Sequence, residues 1–169
     1  MKEAISNAFL FNIVIVFVVV LIALFVGSLS YTKAYKVKNK IVEEIEKEGE
    51  VAGSQFVTKE QAATAYENAE GEIIEWLKSG DEGKGIGYRM NTTGTVSCNY
   101  DKGKLVSGKQ NAFEYCVYQI NTCEENSKSD RCGIYYHVIT YMYVDLPLID
   151  QIFKIPVHGE TKTFETLDS

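Results

Sequence analysis

Between Ala8 and Val26 the chain reads AFLFNIVIVFVVVLIALFV, 19 residues without a charge or a proline. At ~1.5 Å per residue, a helix of that length matches the ~30 Å hydrocarbon layer of a bilayer. An amphipathic surface helix keeps a polar face. This stretch has none, and the 129 residues after position 40 are too few to surround it as a buried core helix. The expectation is a single transmembrane helix over residues 8–27, preceded by a short polar segment, 1–7, and retained in lipid. A cleaved signal peptide is the competing reading, because Ser28, Leu29 and Ser30 offer small residues at an acceptable spacing. Signal-peptide cores are shorter, ~7 to 15 residues, and follow a basic start. Asn12, the one strongly polar side chain in the span, lies in the outer third of the membrane, where it can reach headgroup water, and is the candidate contact if the helix packs against copies of itself.

Charge divides the chain at the same place. Residues 41–169 hold 12 Lys and Arg against 22 Asp and Glu, a net of −10, whereas residues 1–40 hold five Lys against Glu3. An acidic domain repels a phosphate backbone, and no basic patch interleaved with aromatics occurs, which argues against nucleic-acid binding. Lys33, Lys36, Lys38 and Lys40 follow the span and, by the positive-inside rule alone, would hold the domain in the cytoplasm. The cysteines argue for the other side. Cys98, Cys116, Cys123 and Cys132 are an even set within 35 residues, as suits two disulfides in an oxidising compartment. Pairing Cys98 with Cys116 would staple two strands and pairing Cys123 with Cys132 would close a polar loop, but spacing leaves connectivity open. Zinc is a poorer use of the four, since no Cys-x-x-Cys knuckle is present. The balance favours a cell-membrane protein, single-pass, with an extracytoplasmic domain. Asn91-Thr92-Thr93 also fits a glycosylation acceptor.

Past the span, Tyr31, Ala34, Val37, Ile41 and Ile45 repeat at helical spacing with no breaker before Gly49. A juxtamembrane helical extension over 28–50 is therefore expected. Thr58-Lys59-Glu60-Gln61 has the form of a capping box. It opens a second helix whose apolar stripe is Ala62, Tyr66, Ala69, Ile73, Trp76 and Leu77, ending at Ser79-Gly80. From Gly85 the pattern changes to strands and turns. Strands are expected at Thr95–Tyr100 with a hairpin into Lys104–Val106, at Ala112–Ile120 and at Gly133–Val144. A last pair is expected at Ile152–Val157 and Glu160–Phe164, around a turn at His158-Gly159. The resulting fold class is α+β: a transmembrane helix extended into an amphipathic one, a second helix, then a small antiparallel sheet, residues 51–169 forming one soluble domain.

Chemistry-bearing motifs are sparse. His137 alternates with Tyr135, Ile139 and Tyr141 along a strand, and His158 stands alone; neither sits in a catalytic or metal-binding pattern. Gly80 to Gly87, GDEGKGIG, lacks the spacing of a phosphate-binding loop. No catalytic residue, metal ligand or cofactor is assigned, and the chain is expected not to be an enzyme. Tyr135, Tyr136, Tyr141 and Tyr143 on one strand are a possible interaction surface.

A short polar head, an apolar helix passing unbroken into an amphipathic one, and a small sheet domain after it resemble type IV pilin-like proteins, particularly TadE-like minor pilins. The segments Tyr141-Met-Tyr-Val-Asp-Leu-Pro147-Leu148 and Ile155-Pro156-Val157-His158-Gly159-Glu160-Thr161 are similar to the closing strands of TadE-like domains in Gram-positive bacteria. The chain departs from the pilin pattern in having no glycine before the span and in carrying Glu3 ahead of it. The resemblance covers residues 1–50 and 134–165, and it implies a non-catalytic envelope subunit of a pilus or secretion assembly. Its partners would be the lipid bilayer and other membrane or pilus-like subunits met through the N-terminal helix. The alternative is a membrane-tethered, extracytoplasmic binding or sensing module that uses the sheet face or the Cys123–Cys132 loop.

Overall fold

One helix, α1 (Lys2–Gly49), runs 48 residues without a break, joining the expected span to its expected extension. The computed structural model describes residues 2–50, 57–79, 88, 98–107, 113–122, 132–145 and 152–166. The Gly80 to Gly87 loop, the Asn91 to Gly94 turn with its glycosylation triplet, Cys123 and Pro147 lie outside them.

The second helix, α2 (Lys59–Ser79), starts where the capping box places it. Gln61 N–H donates to Thr58 Oγ1, and Thr58 N–H donates to Gln61 Oε1, both at 3.2 Å. These bonds satisfy two backbone donors that a helix start otherwise leaves open. Ala62, Ala65, Tyr66, Ala69, Ile73 and Leu77 are buried along one face of α2, and Trp76 is half-buried at its edge.

Among the described residues five strands form one antiparallel sheet: β1 (Lys104–Leu105), β2 (Tyr115–Asn121), β3 (Cys132–Asp145), β4 (Ile152–Glu160) and β5 (Phe164–Thr166). Their order is β1-β2-β3-β4, with β5 pairing the start of β3. The inner face meets both helices. There Tyr115 and Val117 of β2 and Ile134, Tyr136 and Val138 of β3 interleave with Val37, Ile41 and Ile45 of α1 and with the stripe of α2. Each such fully buried aliphatic side chain is worth ~1.5–3 kcal/mol over its exposed state. Inside this layer Thr140 Oγ1 donates to the Ala34 carbonyl at 3.0 Å, and Tyr136 Oη donates to the Ala62 carbonyl at 2.7 Å. Each polar contact fixes a helix at one height on β3. Gly49 closes α1 against Phe164 of β5, whose ring occupies the space a Cβ would need.

Two expectations are corrected. His158-Gly159 is not a turn: β4 continues through it in register with β3, Gly159 opposite Val138 and Glu160 opposite His137. Glycine stands there because the aliphatic stem of Lys38 crosses β4 where a Cβ would sit. The chain turns instead at Thr161–Thr163, and β5 then pairs with β3 rather than with β4. Likewise β1 pairs with β2, Lys104 opposite Gln119, while Cys98–Tyr100 form no strand.

Candidate functional site

The first candidate surface is the half of α1 that the domain leaves bare. From Phe9 to Val20 every residue is exposed, Phe9 at 68% and Phe17 at 60%. The helix is long and apolar enough to cross a membrane, and none of its most apolar window is buried. Water is a poor solvent for so large a continuous apolar surface, since soluble monomers rarely expose patches beyond a few hundred Å². Asn12 lies on this bare stretch, 22 residues or about 33 Å of helix before Ala34, where the domain begins.

A collar of aromatic and basic side chains follows the apolar run. Tyr31 and Tyr35 stack with ring centroids 6.1 Å apart, and Lys38 Nζ stands 4.2 Å over the Tyr35 ring. Lys33 and Lys36 are exposed beside them. Further along, Lys40 pairs with Glu44, and Lys47 bridges Glu44 at 3.4 Å and Glu72 of α2 at 3.0 Å. Glu44 is only 5% exposed. Hydrogen bonding from Lys40 outweighs the opposing effect of burial and holds its carboxyl below the usual range.

The outer face of the sheet carries the second candidate. Cys98 and Cys116 are joined by a disulfide, one of the pairings the spacing left open, which ties the segment before β1 across β2. Cys123 lies outside the described residues, and only the backbone of Cys132 is described, in β3. Next to the disulfide, Tyr100 lies flat on His137, centroids 4.2 Å apart and planes within 5°. His137 Nδ1 is 3.1 Å from Glu160 Oε1, and His137 Nε2 is 3.0 Å from His158 Nδ1. If Glu160 accepts from Nδ1–H, the Nε2 lone pair of His137 is free to accept from His158 Nδ1–H, so the chain of bonds fixes both tautomers. Burial and the neighbouring His137 push the His158 pKa below its ordinary value. Among the described residues no three His, Cys, Asp or Glu side chains gather to hold a metal ion. This cluster was missed in the sequence because its members meet only through the β3–β4 register.

The four tyrosines do not make one surface. Tyr136 points inward, fully buried against α2, because strand side chains alternate. Tyr135, Tyr141 and Tyr143 share the outer face, where Tyr141 is buried and the other two are half-buried. Lys154 Nζ sits 3.9 Å from the Tyr141 ring centroid and 3.4 Å from Glu114 Oε2. At the far end of the sheet, a cleft of about 610 Å³ is lined, among the described residues, by Lys59, Lys102 and Lys104 with Gln119 and Asn121 and by no carboxylate.

No family model, curated protein or solved structure matches this chain. Function is therefore argued from its own geometry.

Proposed function

We propose that this chain is a single-pass, membrane-anchored, non-catalytic envelope protein, a pilin-like or TadE-like subunit that assembles with other membrane subunits through α1. One observation carries the reading: a single unbroken helix is bare and apolar through its first half and is the spine of a sheet domain through its second. Lipid and neighbouring apolar helices are the environments that suit the first half. With no hinge between the halves, packing of helices in the membrane orients the domains outside it.

The Cys98–Cys116 disulfide supports a domain on the oxidising side. The lysines after the span point the other way by the positive-inside rule. They weigh less because Lys38 rests on Tyr35 and Lys40 pairs with Glu44. Single cysteines at Asn12 or Val16, oxidised in native membranes at native expression, are expected to trap oligomers of the full chain. A strictly monomeric pattern at both positions would overturn the assembly reading. An impermeant thiol reagent applied to intact cells before and after reduction tests sidedness: new labelling at Cys98 and Cys116 only after reduction supports an outer domain, and labelling that needs lysis opposes it.

A membrane-tethered binding module is the second reading, favoured by the lysine-lined cleft on an otherwise acidic domain. Titration of the full chain in micelles with inorganic phosphate, compared with the Lys59→Glu and Lys104→Glu double variant, separates it from a purely structural role.

A further inference from the structure

Charge on α1 is arranged by height. From Gly27 to Val42 the helix holds Lys33, Lys36, Lys38 and Lys40 and no carboxylate, although the residues after it are strongly acidic. Within the domain Lys40 is neutralised by Glu43 and Glu44, and Lys47 by Glu44 and Glu72. Lys36 and Lys33, one and two turns nearer the apolar run, are exposed. Among the described residues neither meets a carboxylate. Lys38 sets its ammonium 4.2 Å from the Tyr35 ring centroid, with its stem held across Gly159 of β4. Lys33, Lys36 and Lys40 follow one another at intervals of three and four residues, so they share one side of the helix, and like charges at that spacing repel. Glu43 and Glu44 relieve the row at Lys40. No described residue relieves it at Lys33 and Lys36, so a counter-charge from outside the chain lowers its energy.

The height of the row selects the source of that charge. Val26 ends the apolar run, and at ~1.5 Å per residue Tyr31 stands about 7.5 Å, Lys33 about 10 Å and Lys36 about 15 Å beyond it. The headgroup layer on one side of a bilayer is about 5–7 Å deep. The field of its phosphates persists for a further ~8 Å at physiological ionic strength. Helical side chains lean toward the helix N-terminus, here toward the apolar run, which brings the two ammonium groups nearer that layer than their Cα atoms. Tyr31 and Tyr35, exposed at 51% and 44%, stack at the same level. A phenol with an apolar body and a polar tip suits the boundary between hydrocarbon and water. A free anion in water has no preferred height along α1, whereas the phosphate of a lipid is fixed at this one.

We propose that Lys33 and Lys36, flanked by Tyr31, Tyr35 and Lys38, form a site for anionic phospholipid headgroups, whose phosphates supply the missing counter-charge. The site selects lipid by charge, so α1 gathers anionic lipids over zwitterionic ones at the foot of the domain. This inference rests on the reading of α1 as a membrane span, and its test keeps the two apart. The full chain is reconstituted into phosphatidylcholine vesicles with a trace of phosphatidylglycerol or of phosphatidylcholine, each spin-labelled at the same acyl carbon. The lipid immobilised by protein is read from the paramagnetic resonance spectrum. A lysine at an anionic surface changes association by about fivefold. The parent is therefore expected to immobilise labelled phosphatidylglycerol about fivefold more than labelled phosphatidylcholine. The difference should collapse in ~1 M salt, where the Debye length is ~3 Å. Lys33→Gln with Lys36→Gln is expected to remove the preference and leave immobilisation of phosphatidylcholine unchanged. Lys102→Gln with Lys104→Gln, which removes the same charge at the far end of the sheet, is expected to keep the preference. If the parent shows none, or the Lys33→Gln, Lys36→Gln pair retains it, the headgroup site is wrong and the span stands. If that pair instead lowers the yield of Asn12→Cys oligomers in phosphatidylcholine alone, the row faces a neighbouring copy and the headgroup site is again wrong. If neither labelled lipid is immobilised, the span reading fails and this one with it.

Discussion

The two halves of α1 share one backbone and face opposite demands. In Ala34–Gly49 the apolar residues keep to one stripe, Ala34, Val37, Ile41 and Ile45, each at most 1% exposed, because a sheet covers only one side of a helix. In Phe9–Val26 they surround the helix, and no residue up to Val20 is shielded by the rest of the chain. The same residue type therefore carries different energies. An isoleucine in the lower half contributes to the stability of the domain, and one in the upper half, which no described residue covers, does not.

The sharpest break of that comparison is a matched pair of truncations. Ile41→Ala is expected to cost the domain ~2–5 kcal/mol in urea unfolding followed in micelles. Val16→Ala is expected to change it by under about 0.5 kcal/mol. Equal effects would mean that the upper half packs on the domain. Next in size, replacing both Cys98 and Cys116 by serine opens the link across β2 and is expected to cost ~2–4 kcal/mol while leaving membrane extraction unchanged. Thr58→Ala removes half of the capping box and should cost about 1 kcal/mol, read as faster amide exchange in the first turn of α2 and not in α1.

The smallest expected effect is on pH dependence. The folded pKa of His158 lies below its ordinary value, so the unfolded chain takes up that proton first. Stability is then level above the ordinary histidine value, falls as the pH drops through it, and levels again below the depressed folded value. His158→Asn should flatten this window. Glu44 acts in a lower range: its carboxyl is held below the usual value, so its contribution is present above that value and is lost as the pH falls through the folded one.

Both helices were legible because their signals are local: the stripe from Ala34 to Ile45, and Thr58 three residues before Gln61. The strands β2 and β3 were legible from their aromatic and β-branched content. The division of the tyrosines was available in principle, since Tyr136 differs in parity from Tyr135, Tyr141 and Tyr143. What failed depended on distant partners. Gly159 looks like a turn residue until Lys38, far away in sequence, is seen to cross it. Glu160, His137 and His158 come together only once β3 and β4 are in register, and β1 found its partner in β2 rather than in the segment before it. The bare half of α1 was the most legible part of the candidate site, since nineteen apolar residues constrain their surroundings without any tertiary partner.

The unbroken course of α1 also has a mechanical consequence. Its 48 residues form a rod about 72 Å long, clamped to the sheet where Thr140 holds Ala34 and where Phe164 closes on Gly49. A twist or a piston stroke applied near Asn12 has no joint in which to dissipate, so it arrives at β3 as the same rotation or displacement.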